Sequence, residues 1–394
     1  MTTRSRWLLP DGVDEQLPAE AVHLEQLRRL ALDLFARWGY QLCMPPAVEF
    51  LESLLSGLGE DLELQTFKLT DQISGRMLGI PADITPQIAR IDAHRLPTTG
   101  PQRLCYLGPI LHTRPEKFAG SRNPLQVGAE LYGHAGIDAD VEIQCLMLAL
   151  LEKIGVREVT LELCHMGIFR GLSEAAALSQ EADAQLLDAL LRKDKGAVDF
   201  TLTQAQVPAR LAQMFRALLG LNGDEGVVAR AKVALAGAPA VVGSAVEALA
   251  DLVTLIGRRA PQTAMHVDLA ELRGYHYHTG IMFAAYTSGF GRAIAWGGRY
   301  DNAGAYFGRA RPATGFSADL KLLAAISTQP RPVISAIFAP EGTSPALLAA
   351  IDSLRAAGYA VVQALPAQAG GAREMGCCQQ LQWEADVWRV CDLA

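Results

Sequence analysis

The 394-residue sequence predicts an α+β fold, in which helices cover one side of an antiparallel sheet. Predicted strands occur in hairpin pairs between long amphipathic helices, and the main body lacks the regular strand–helix alternation of a parallel sheet. In addition, residues 171–260 are rich in Ala and Leu at helical spacing and carry almost no strand pattern. We therefore predict a core formed by 1–170 and 261–328, a helical insertion at 171–260, and a small α/β unit at 331–394.

The first elements of the core are predicted to be a helix, a strand and a hairpin. Leucines recur at helical spacing over 20–38, and Gly39 is placed to end that helix. YQLCMPPAVEF follows as a short strand that its two prolines stop. Alternating apolar residues at 66–69 and 77–80 predict a hairpin. The loop PADITPQIAR then enters a helix, with Thr85 predicted as its N-cap.

The next elements are predicted to form a second hairpin and a long helix. RLCYLGPILHTRP and LQVGAELYG read as two antiparallel strands. Asp138 or Asp140 is predicted to cap the helix VEIQCLMLALLEKI, which ends at Gly155, and EVTLELCH is a further strand. After the insertion, TAMHVDLAEL, IMFAAYT, AIAWGGRYD and PATGFSADL return to strand character, and a helix around DLKLLAAIS closes the core.

The predicted C-terminal unit is a small sheet with one helix. VISAIFA is its first strand, and Ser344 begins a helix that stops at Gly358. YAVVQAL and the pair QLQW and VWRV complete the sheet.

Composition narrows the functional classes. The net charge of −7 argues against broad electrostatic capture of nucleic acid. The amino-terminal segment lacks the pattern of a secretory signal, and no run of 18 apolar residues suggests a membrane span. The seven cysteines are odd in number and contain no CxxC pair, so we predict a cytoplasmic protein with reduced, structural cysteines.

The segment ELRGYHYHTG, at 271–280, concentrates side chains that bind ligands. His276 and His278 would share one side of a strand, and with His266 they could ligate zinc; without a carboxylate or cysteine at ligand spacing, we favour hydrogen-bonding pocket residues and predict no metal. Arg273 beside a turn glycine is suited to a carboxylate, although it could equally be a surface arginine. Tyr275 and Tyr277 share the parity of Arg273.

Two other segments offer polar groups for a pocket. Asp83 and Thr85 lie at a helix start, where ordinary capping is the alternative. Gln126 and Glu130 share one face of a strand, and a buried glutamate needs a cation or hydrogen-bond donors unless that face is a solvent-exposed edge. These carboxylates and the amide could bind an amino group, and Arg273 a carboxylate. Together the segments suggest a pocket for an amino acid.

Four stretches of the sequence resemble the histidyl-tRNA synthetase family, in the order found there. They are WLLPDGVDEQLP, PADITPQIAR, LGPILHTRP with LQVGAELYG, and ELRGYHYHTG followed by WGGRYD and PATGFSADL. The resemblance covers about 1–325 apart from the helical insertion, and it is nearest to the non-catalytic paralogues of that family, the regulatory subunits of ATP phosphoribosyltransferase. It implies the class II synthetase fold, an antiparallel sheet flanked by helices.

The resemblance also implies a histidine site. Where the synthetases bind the amino group of histidine with an EGT motif, ADIT supplies Asp83 and Thr85, and their QxGxE strand corresponds to Gln126 and Glu130. The loop GGRYD is kept at 297–301.

The histidine signature itself is altered. RGLDYY of the synthetases appears here as RGYHYH, which keeps Arg273 and Tyr277. It places His276 at the family's Asp and His278 at its Tyr. An Asp-to-His change replaces an anion by a neutral or cationic ring, so the pocket is plausible but changed.

The departures from the family fall on its ATP site. Motif 2, FRxER, is matched without gaps by His112 at its first arginine and Arg114 at the glutamate; a one-residue gap would restore Arg114 as the second arginine. Motif 3 ends in GxER in the family and has Lys321 and Leu322 here, and Pro81 replaces the arginine before the EGT-type loop. Because phosphoryl chemistry depends on preorganised cations, synthetase activity is not expected.

The tail agrees with this reading, because residues 331–394 contain four arginines and six acids, a net charge of −2, and are short for an anticodon-binding domain. The resemblance implies a non-catalytic regulatory subunit without cofactor or tRNA, partnered by the short-form catalytic subunit HisG, with L-histidine as effector and a dimer within a hetero-oligomer. A divergent histidyl-tRNA synthetase is the alternative, and an amino-acid-binding protein with another partner is a third class.

Overall fold

The structure is a computed structural model that describes residues 7–55, 60–96, 98–115, 120–275, 277–332 and 336–393. The chain divides into two compact units, Met1–Gln329 and Pro330–Ala394. The elements of the first unit are, in chain order, α1 (Pro18–Arg37), β1 (Gln41–Cys43), β2 (Glu49–Phe50), α2 (Leu51–Leu54), α3 (Glu60–Gln65), β3 (Phe67–Thr70), β4 (Met77–Ile80), α4 (Thr85–His94), β5 (Gln102–Pro109), β6 (Leu125–Tyr132), α5 (Ile137–Ile154), β7 (Val159–His165), α6 (Met166–Ala175), α7 (Gln180–Leu191), α8 (Lys195–Gln204), α9 (Ala209–Leu218), β8 (Asn222–Gly223), α10 (Gly226–Ala234), α11 (Ala240–Arg259), β9 (Ala264–Asp268), β10 (Ile281–Thr287), β11 (Ala295–Arg299), a 3-10 helix (Ala303–Phe307), β12 (Ala313–Asp319) and α12 (Leu320–Ile326).

A nine-stranded sheet organises this unit, in the order β1-β5-β6-β12-β11-β10-β7-β9-β8. The six strands from β5 to β7 pair antiparallel with one another, which confirms the α+β prediction. The sheet is nevertheless mixed, because β1 is parallel to β5 and β9 is parallel to β7. Long connections that contain helices join the members of each parallel pair, as parallel pairing requires.

One face of the sheet packs against helices, and the other face carries the candidate site. Alternation along β6 places Val127, Ala129 and Leu131 in the core that α1, α5 and α12 cover. Phe35 of α1 meets Phe316 of β12 edge to face, with 6.1 Å between ring centroids. The opposite side chains of β6 point to the other face, which carries the site described below.

A smaller sheet, β2-β4-β3, lies beside α4, and its β3–β4 pair confirms the predicted hairpin. The predicted N-cap at Thr85 is wrong: α4 begins with Thr85, and Ile84 occupies the cap position. The side chain of Asp83 accepts a hydrogen bond from the Thr85 peptide N–H at 2.9 Å. Asp83 therefore makes the hydrogen bond at the start of the helix, and the Thr85 side chain is available for other contacts.

The cap predicted for α5 is also wrong. Gly136 is its N-cap residue, and Asp138 and Asp140 lie in the first turn, where acidic groups favour the helix macrodipole. Asp140 is instead bound by the buried Arg299 of β11, with distances of 2.7 and 3.1 Å. Gly155 ends the helix at φ +85°, as predicted.

Helices α6 to α11 occupy 166–259 and share one continuous apolar core with the central sheet. Phe169 of α6 packs on Phe215 of α9, with ring centroids 5.8 Å apart. By length and composition α11 would be long enough to cross a membrane, a test that core helices of soluble proteins also pass. Leu249 and Ile256 of α11 are fully buried in this core.

The second unit contains β13 (Ala336–Ala339), α13 (Pro345–Ala356), β14 (Ala360–Gln363), β15 (Cys377–Glu384) and β16 (Val387–Asp392), in a sheet of order β14-β13-β15-β16. Ser344 caps α13 by accepting the Leu347 N–H at 3.3 Å. Gly358 follows the helix at φ +92°, a conformation that favours glycine. The predicted helix and strands of this unit are confirmed over the described residues; positions 333–335 of the predicted strand VISAIFA lie outside them.

Candidate functional site

Three adjoining cavities open on the face of the central sheet that α1, α5 and α12 leave free. We name them after one lining residue each: the His112 cavity of about 420 Å³, the Glu130 cavity of about 70 Å³ and the Glu271 cavity of about 460 Å³. Trp296 of β11 lines all three, so they form one cleft.

Glu130 lies at the centre of this cleft and is 1% exposed. Its Oε1 accepts hydrogen bonds from the hydroxyls of Thr85 and Tyr106, both at 3.2 Å, and its Oε2 accepts one from Tyr300. Burial raises the pKa of Glu130 to about 8, and the nearby Asp83 carboxylate acts in the same direction. The predicted need for donors is met by three hydroxyl groups, and the solvent-edge alternative is excluded.

Glycines make room for this arrangement. A Cβ at Gly315 of β12 would overlap the Glu130 carboxylate, and one at Gly128 would stand 2.5 Å from the Tyr106 ring. These contacts lie well below the distances that real Cβ atoms show, so the two strands can pass Glu130 and Tyr106 because both positions lack a side chain.

Gln126 fixes the loop that precedes α4. Its Oε1 accepts the Ile84 N–H at 2.8 Å, and its Nε2 donates to Asp83 at 2.7 Å. Asp83 therefore faces the cleft at the boundary of the His112 and Glu130 cavities. Asp83, Thr85, Gln126 and Glu130, which the sequence analysis assigned to one pocket, are linked by hydrogen bonds in the structure, and their role in binding stays a prediction.

The segment 271–280 is not the strand that the sequence analysis assumed. Gly274 has φ +76°, and its carbonyl accepts the N–H groups of Tyr277 and His278, so the chain turns here. Because a turn lacks the period of two, the prediction that Arg273, Tyr275 and Tyr277 point to one side of a strand was wrong.

The turn sends the aromatic residues of this segment in different directions. Tyr277 stacks on Tyr300 with centroids 5.0 Å apart and lines the Glu130 and Glu271 cavities, as does His278. Tyr275 instead packs edge to face on Phe169 of α6 at 5.1 Å, which places its ring outside the lining of these cavities. His276 lies outside the described residues.

Among the described aromatic residues of this segment, the hydroxyl of Tyr277 and Nδ1 of His278 are buried and lack a hydrogen-bond partner. Burial also lowers the pKa of His278 to about 4, so its ring is neutral at physiological pH. Buried polar atoms are almost always hydrogen bonded, so these two atoms are available to bond to a ligand or to a water in the cavity.

Arg273 lines the Glu271 cavity and is 60% exposed in its side chain, with Nε 2.9 Å from Oε1 of Glu271. His266 lies apart from His278 and belongs to a group with Glu162 and Asp268, whose ligand atoms are within 4.8 Å of one another. Both carboxylate oxygens of Asp268 accept hydrogen bonds from Lys193, at 2.6 and 2.7 Å.

The His112 cavity is poor in positive charge. Nε2 of His112 lies 2.9 Å from the Ala82 carbonyl oxygen, and the Lys321 ammonium turns to Asp14 at 3.1 Å. Among the described residues that line this cavity, Arg292 carries a permanent positive charge, against two carboxylates, those of Asp83 and Asp319. Such a wall does not favour a polyphosphate.

The chain is similar to known proteins over almost its whole length. The family model described as "Histidyl-tRNA synthetase" matches residues 12–323, and the one described as "ATP phosphoribosyltransferase subunit HisZ C-terminal domain" matches 334–391. A relative from Thioalkalivibrio sulfidiphilus named "ATP phosphoribosyltransferase regulatory subunit" is 51% identical over 100% of both chains. The chain belongs to this family of regulatory subunits. Another member, from Alkalilimnicola ehrlichii, is 52% identical over 96% of this chain and 95% of its own.

Solved structures agree on the fold of this regulatory-subunit family. An ATP phosphoribosyltransferase regulatory subunit/histidyl-tRNA synthetase from Bacillus halodurans has a TM-score of 0.82 at 24% identity and covers 95% of this chain and 97% of its own. Histidyl-tRNA synthetase from Nostoc has a TM-score of 0.78 at 19% identity, with coverages of 98% and 94%. The class II synthetase-like fold predicted from the resemblance is thereby confirmed.

Sequence reasoning missed several residues of the cleft in this family member. Tyr106 and Tyr300 bind Glu130 from β5 and from the end of β11, and Glu162 and Glu271 line the Glu271 cavity. Tyr106 could have been found, because it pairs with Gly128 across the hairpin that the sequence predicts. The other three depend on contacts between distant segments.

Proposed function

We propose that the chain is a non-catalytic regulatory subunit of ATP phosphoribosyltransferase that confers activity and histidine control on a separate, short-form catalytic subunit, HisG. It would act in the cytoplasm, in the first step of histidine biosynthesis, as a dimer within a hetero-oligomer. The observation that carries the proposal is the contrast within one cleft: buried donors and acceptors surround Glu130, whereas carboxylates outnumber cations in the His112 cavity.

L-Histidine is the proposed effector, and the Glu130 region is its proposed site. The ammonium group would meet the carboxylates of Asp83 and Glu130, which lie on facing elements of one cavity. The carboxylate of histidine would bind to Arg273, whose guanidinium is exposed. Arg273 contacts Glu271 through Nε, so the N–H groups of its two terminal nitrogens can donate to the ligand. An ammonium that approaches Glu130 favours its ionised form and so compensates part of the burial cost.

Regulation would follow from linkage. If histidine binds one state of the complex more tightly than another, it shifts the population toward that state by the difference in binding free energy. The chain then needs no chemistry of its own, and its cleft needs no phosphate-binding cations.

The absence of synthetase activity is tested by histidine-dependent exchange of pyrophosphate into ATP. The purified chain should show background exchange where an authentic histidyl-tRNA synthetase, run in parallel, turns over. Clear exchange would overturn the proposal in favour of a divergent synthetase.

The pocket is tested by isothermal calorimetry with L-histidine, on the chain alone and on the complex with HisG. Arg273→Ala and Glu130→Ala should each weaken binding at least about tenfold, because each removes a charge-assisted contact. Arg192→Ala, an exposed arginine paired with Asp188 on α7, is the matched control and should bind as wild type does. Binding that is unchanged in both pocket variants would refute the site.

The partner is tested by recovery from native extract with the tagged chain. A phosphoribosyltransferase should be retained, and its activity should depend on the chain and fall with histidine. Retention of a different partner, with no phosphoribosyltransferase present, would favour the third functional class.

A further inference from the structure

The strand β16 forms one edge of the C-terminal sheet, and its outer side has no partner strand among the described residues. β16 pairs with β15 alone, in the order β14-β13-β15-β16. The Leu393 N–H donates to the Cys378 carbonyl oxygen at 3.2 Å, so these two residues form a hydrogen-bonded pair of the ladder. Because such pairs alternate along an antiparallel ladder, Trp388, Val390 and Asp392 direct their N–H and C=O groups away from β15.

The two edges of this sheet differ. β14, at the other edge, has four residues, and the side chain of Arg355 donates to the Val361 carbonyl oxygen at 3.2 Å. β16 has six residues and contains neither proline nor lysine, the residues that commonly block edge strands. Within the described residues, no hydrogen bond is formed to the outward peptide groups of Trp388 and Val390. An exposed edge of this kind is a template for pairing with another strand.

The side chains on one face of this edge are apolar. Leu381 of β15 lies opposite Val390, and Trp383 lies opposite Trp388 with 5.3 Å between ring centroids. Leu381 is buried in the small core of this unit, whereas Val390 is 38% exposed and Trp383 is 50% exposed. The apolar row that begins at Leu381 therefore ends at the open edge, where an apolar side chain of another strand would extend it.

A second copy of β16 fits this edge when a two-fold axis passes through Val390. The two strands then run antiparallel, and Val390 lies opposite Val390 of the second copy. Trp388 of each strand lies opposite Asp392 of the other. All these residues point their peptide groups outward, so each of the three pairs can exchange two hydrogen bonds. The apolar row from Leu381 through Val390 continues across the axis into its symmetry copy.

Charge selects this register from the other two-fold registers. Here Arg389 lies opposite the neutral Cys391 of the second copy. An axis through Arg389 would set that residue opposite itself, and like charges directly opposite one another destabilise a sheet. An axis through Trp388 or Cys391 would pair only positions 387–389 or 390–392 of the strand, rather than 388–392. The strand is therefore self-complementary in one register.

We propose that β16 is a self-association strand: two copies of this chain pair β16 with β16 about a two-fold axis at Val390, so that their four-stranded C-terminal sheets join into one continuous sheet. The inference rests on the proposed function only in its self-association, to which it assigns an interface. It depends on neither histidine nor HisG.

The test is disulfide cross-linking of the full-length chain under mild oxidation, followed on a non-reducing gel. In the proposed register Arg389 and Cys391 of the second copy form a non-hydrogen-bonded pair, whose Cα atoms lie about 4.5 Å apart. A disulfide can span that distance. Arg389→Cys should therefore give at least about tenfold more covalent dimer than wild type. The double variant Arg389→Cys/Cys391→Ser should return to the wild-type level.

A charge on the axis should prevent this cross-link. Val390→Lys, added to Arg389→Cys, sets two ammonium groups opposite each other and should lower the dimer yield about tenfold. Val362→Lys in the same background is the matched control, because Val362 is 37% exposed and lies on β14, at the other edge of the sheet. This control should keep the yield of Arg389→Cys. Circular dichroism and thermal unfolding establish that each variant is folded before it is oxidised.

The outcomes separate this interface from the proposed function. Sedimentation velocity gives the mass of the wild-type chain. If wild type self-associates but Arg389→Cys gives no extra dimer, or keeps it after Cys391→Ser, the β16 interface is refuted while the proposed dimer stands. If wild type is monomeric at every concentration, the interface and the proposed dimer fall together. If cross-linking is absent and Val390→Lys weakens retention of HisG, the edge binds the catalytic subunit and self-pairing is overturned.

Discussion

Replacing Gly315 by alanine should disrupt the centre of the cleft. The added Cβ would overlap the Glu130 carboxylate and stand 2.8 Å from the carbonyl oxygen of Ala129, and the latter cannot retreat because it belongs to β6. Glu130 must therefore rotate and lose the hydrogen bonds from Thr85, Tyr106 and Tyr300.

The size of the effect follows from these contacts. Three hydrogen bonds at about 1 kcal/mol each give about 3 kcal/mol, and overpacking of a core adds about 1–3 kcal/mol. We expect Gly315→Ala to lower the free energy of unfolding by about 4 kcal/mol or more and to weaken histidine binding beyond about tenfold.

The assay is urea unfolding followed by circular dichroism, with calorimetry for histidine. Gly243→Ala is the matched control, because a Cβ there meets nothing within 4 Å and Gly243 lies inside α11. Alanine should stabilise that helix by about 0.5–1 kcal/mol. If Gly315→Ala loses less than about 1 kcal/mol, the packing argument for Glu130 is wrong.

Three further predictions concern Arg170, Glu130 and Arg299. Arg170 donates to loop carbonyls that include that of His278, at 3.0 Å. Arg170→Met should therefore weaken histidine binding about tenfold in calorimetry, and Arg170→Lys should have an intermediate affinity. Equal affinity in wild type and both variants would contradict this positioning role. Because burial raises the pKa of Glu130 from 4.5 to about 8, the folded state holds the proton more tightly. The contribution of the Glu130 carboxyl to stability is complete below about pH 4.5 and is lost as the pH rises to about 8. Glu130→Gln should therefore gain stability relative to wild type over that range in urea titrations. A difference in unfolding free energy that stays constant with pH would refute the raised pKa. Arg299 binds Asp140 through two nitrogens at 2.7 and 3.1 Å. Arg299→Lys should lower the free energy of unfolding by about 3 kcal/mol, measured by thermal unfolding. A loss below about 1 kcal/mol would mean that a lysine can replace the two-nitrogen contact.

The sequence predicts those parts of the fold that local patterns determine. The hairpins β3–β4 and β5–β6 could be predicted because their strands alternate and lie close in sequence. The parallel pairs β1–β5 and β7–β9 could not, because their register depends on packing between distant segments.

The candidate site divides in the same way. Gln126 and Glu130 were placed correctly because they lie on one regular strand. Tyr275 was misplaced because the left-handed Gly274 breaks the alternation that the prediction assumed. Tyr300 was not assigned to the pocket because it contacts Glu130 across the sheet, and the two residues are 170 positions apart in the chain.

The helices between β7 and β9 also govern the order in which the molecule can be completed. β7 ends at His165, and its two neighbours in the sheet, β9 and β10, begin at Ala264 and Ile281. A growing chain can therefore pair β5 with β6 early, while both edges of β7 stay open until about a hundred further residues have been added. Helices α6 to α11 share the core of the sheet, so they can shelter the apolar face of β7 during this interval. Helices α6 to α11 therefore protect the sheet while it is incomplete. Shortening this helical region should favour aggregation during synthesis.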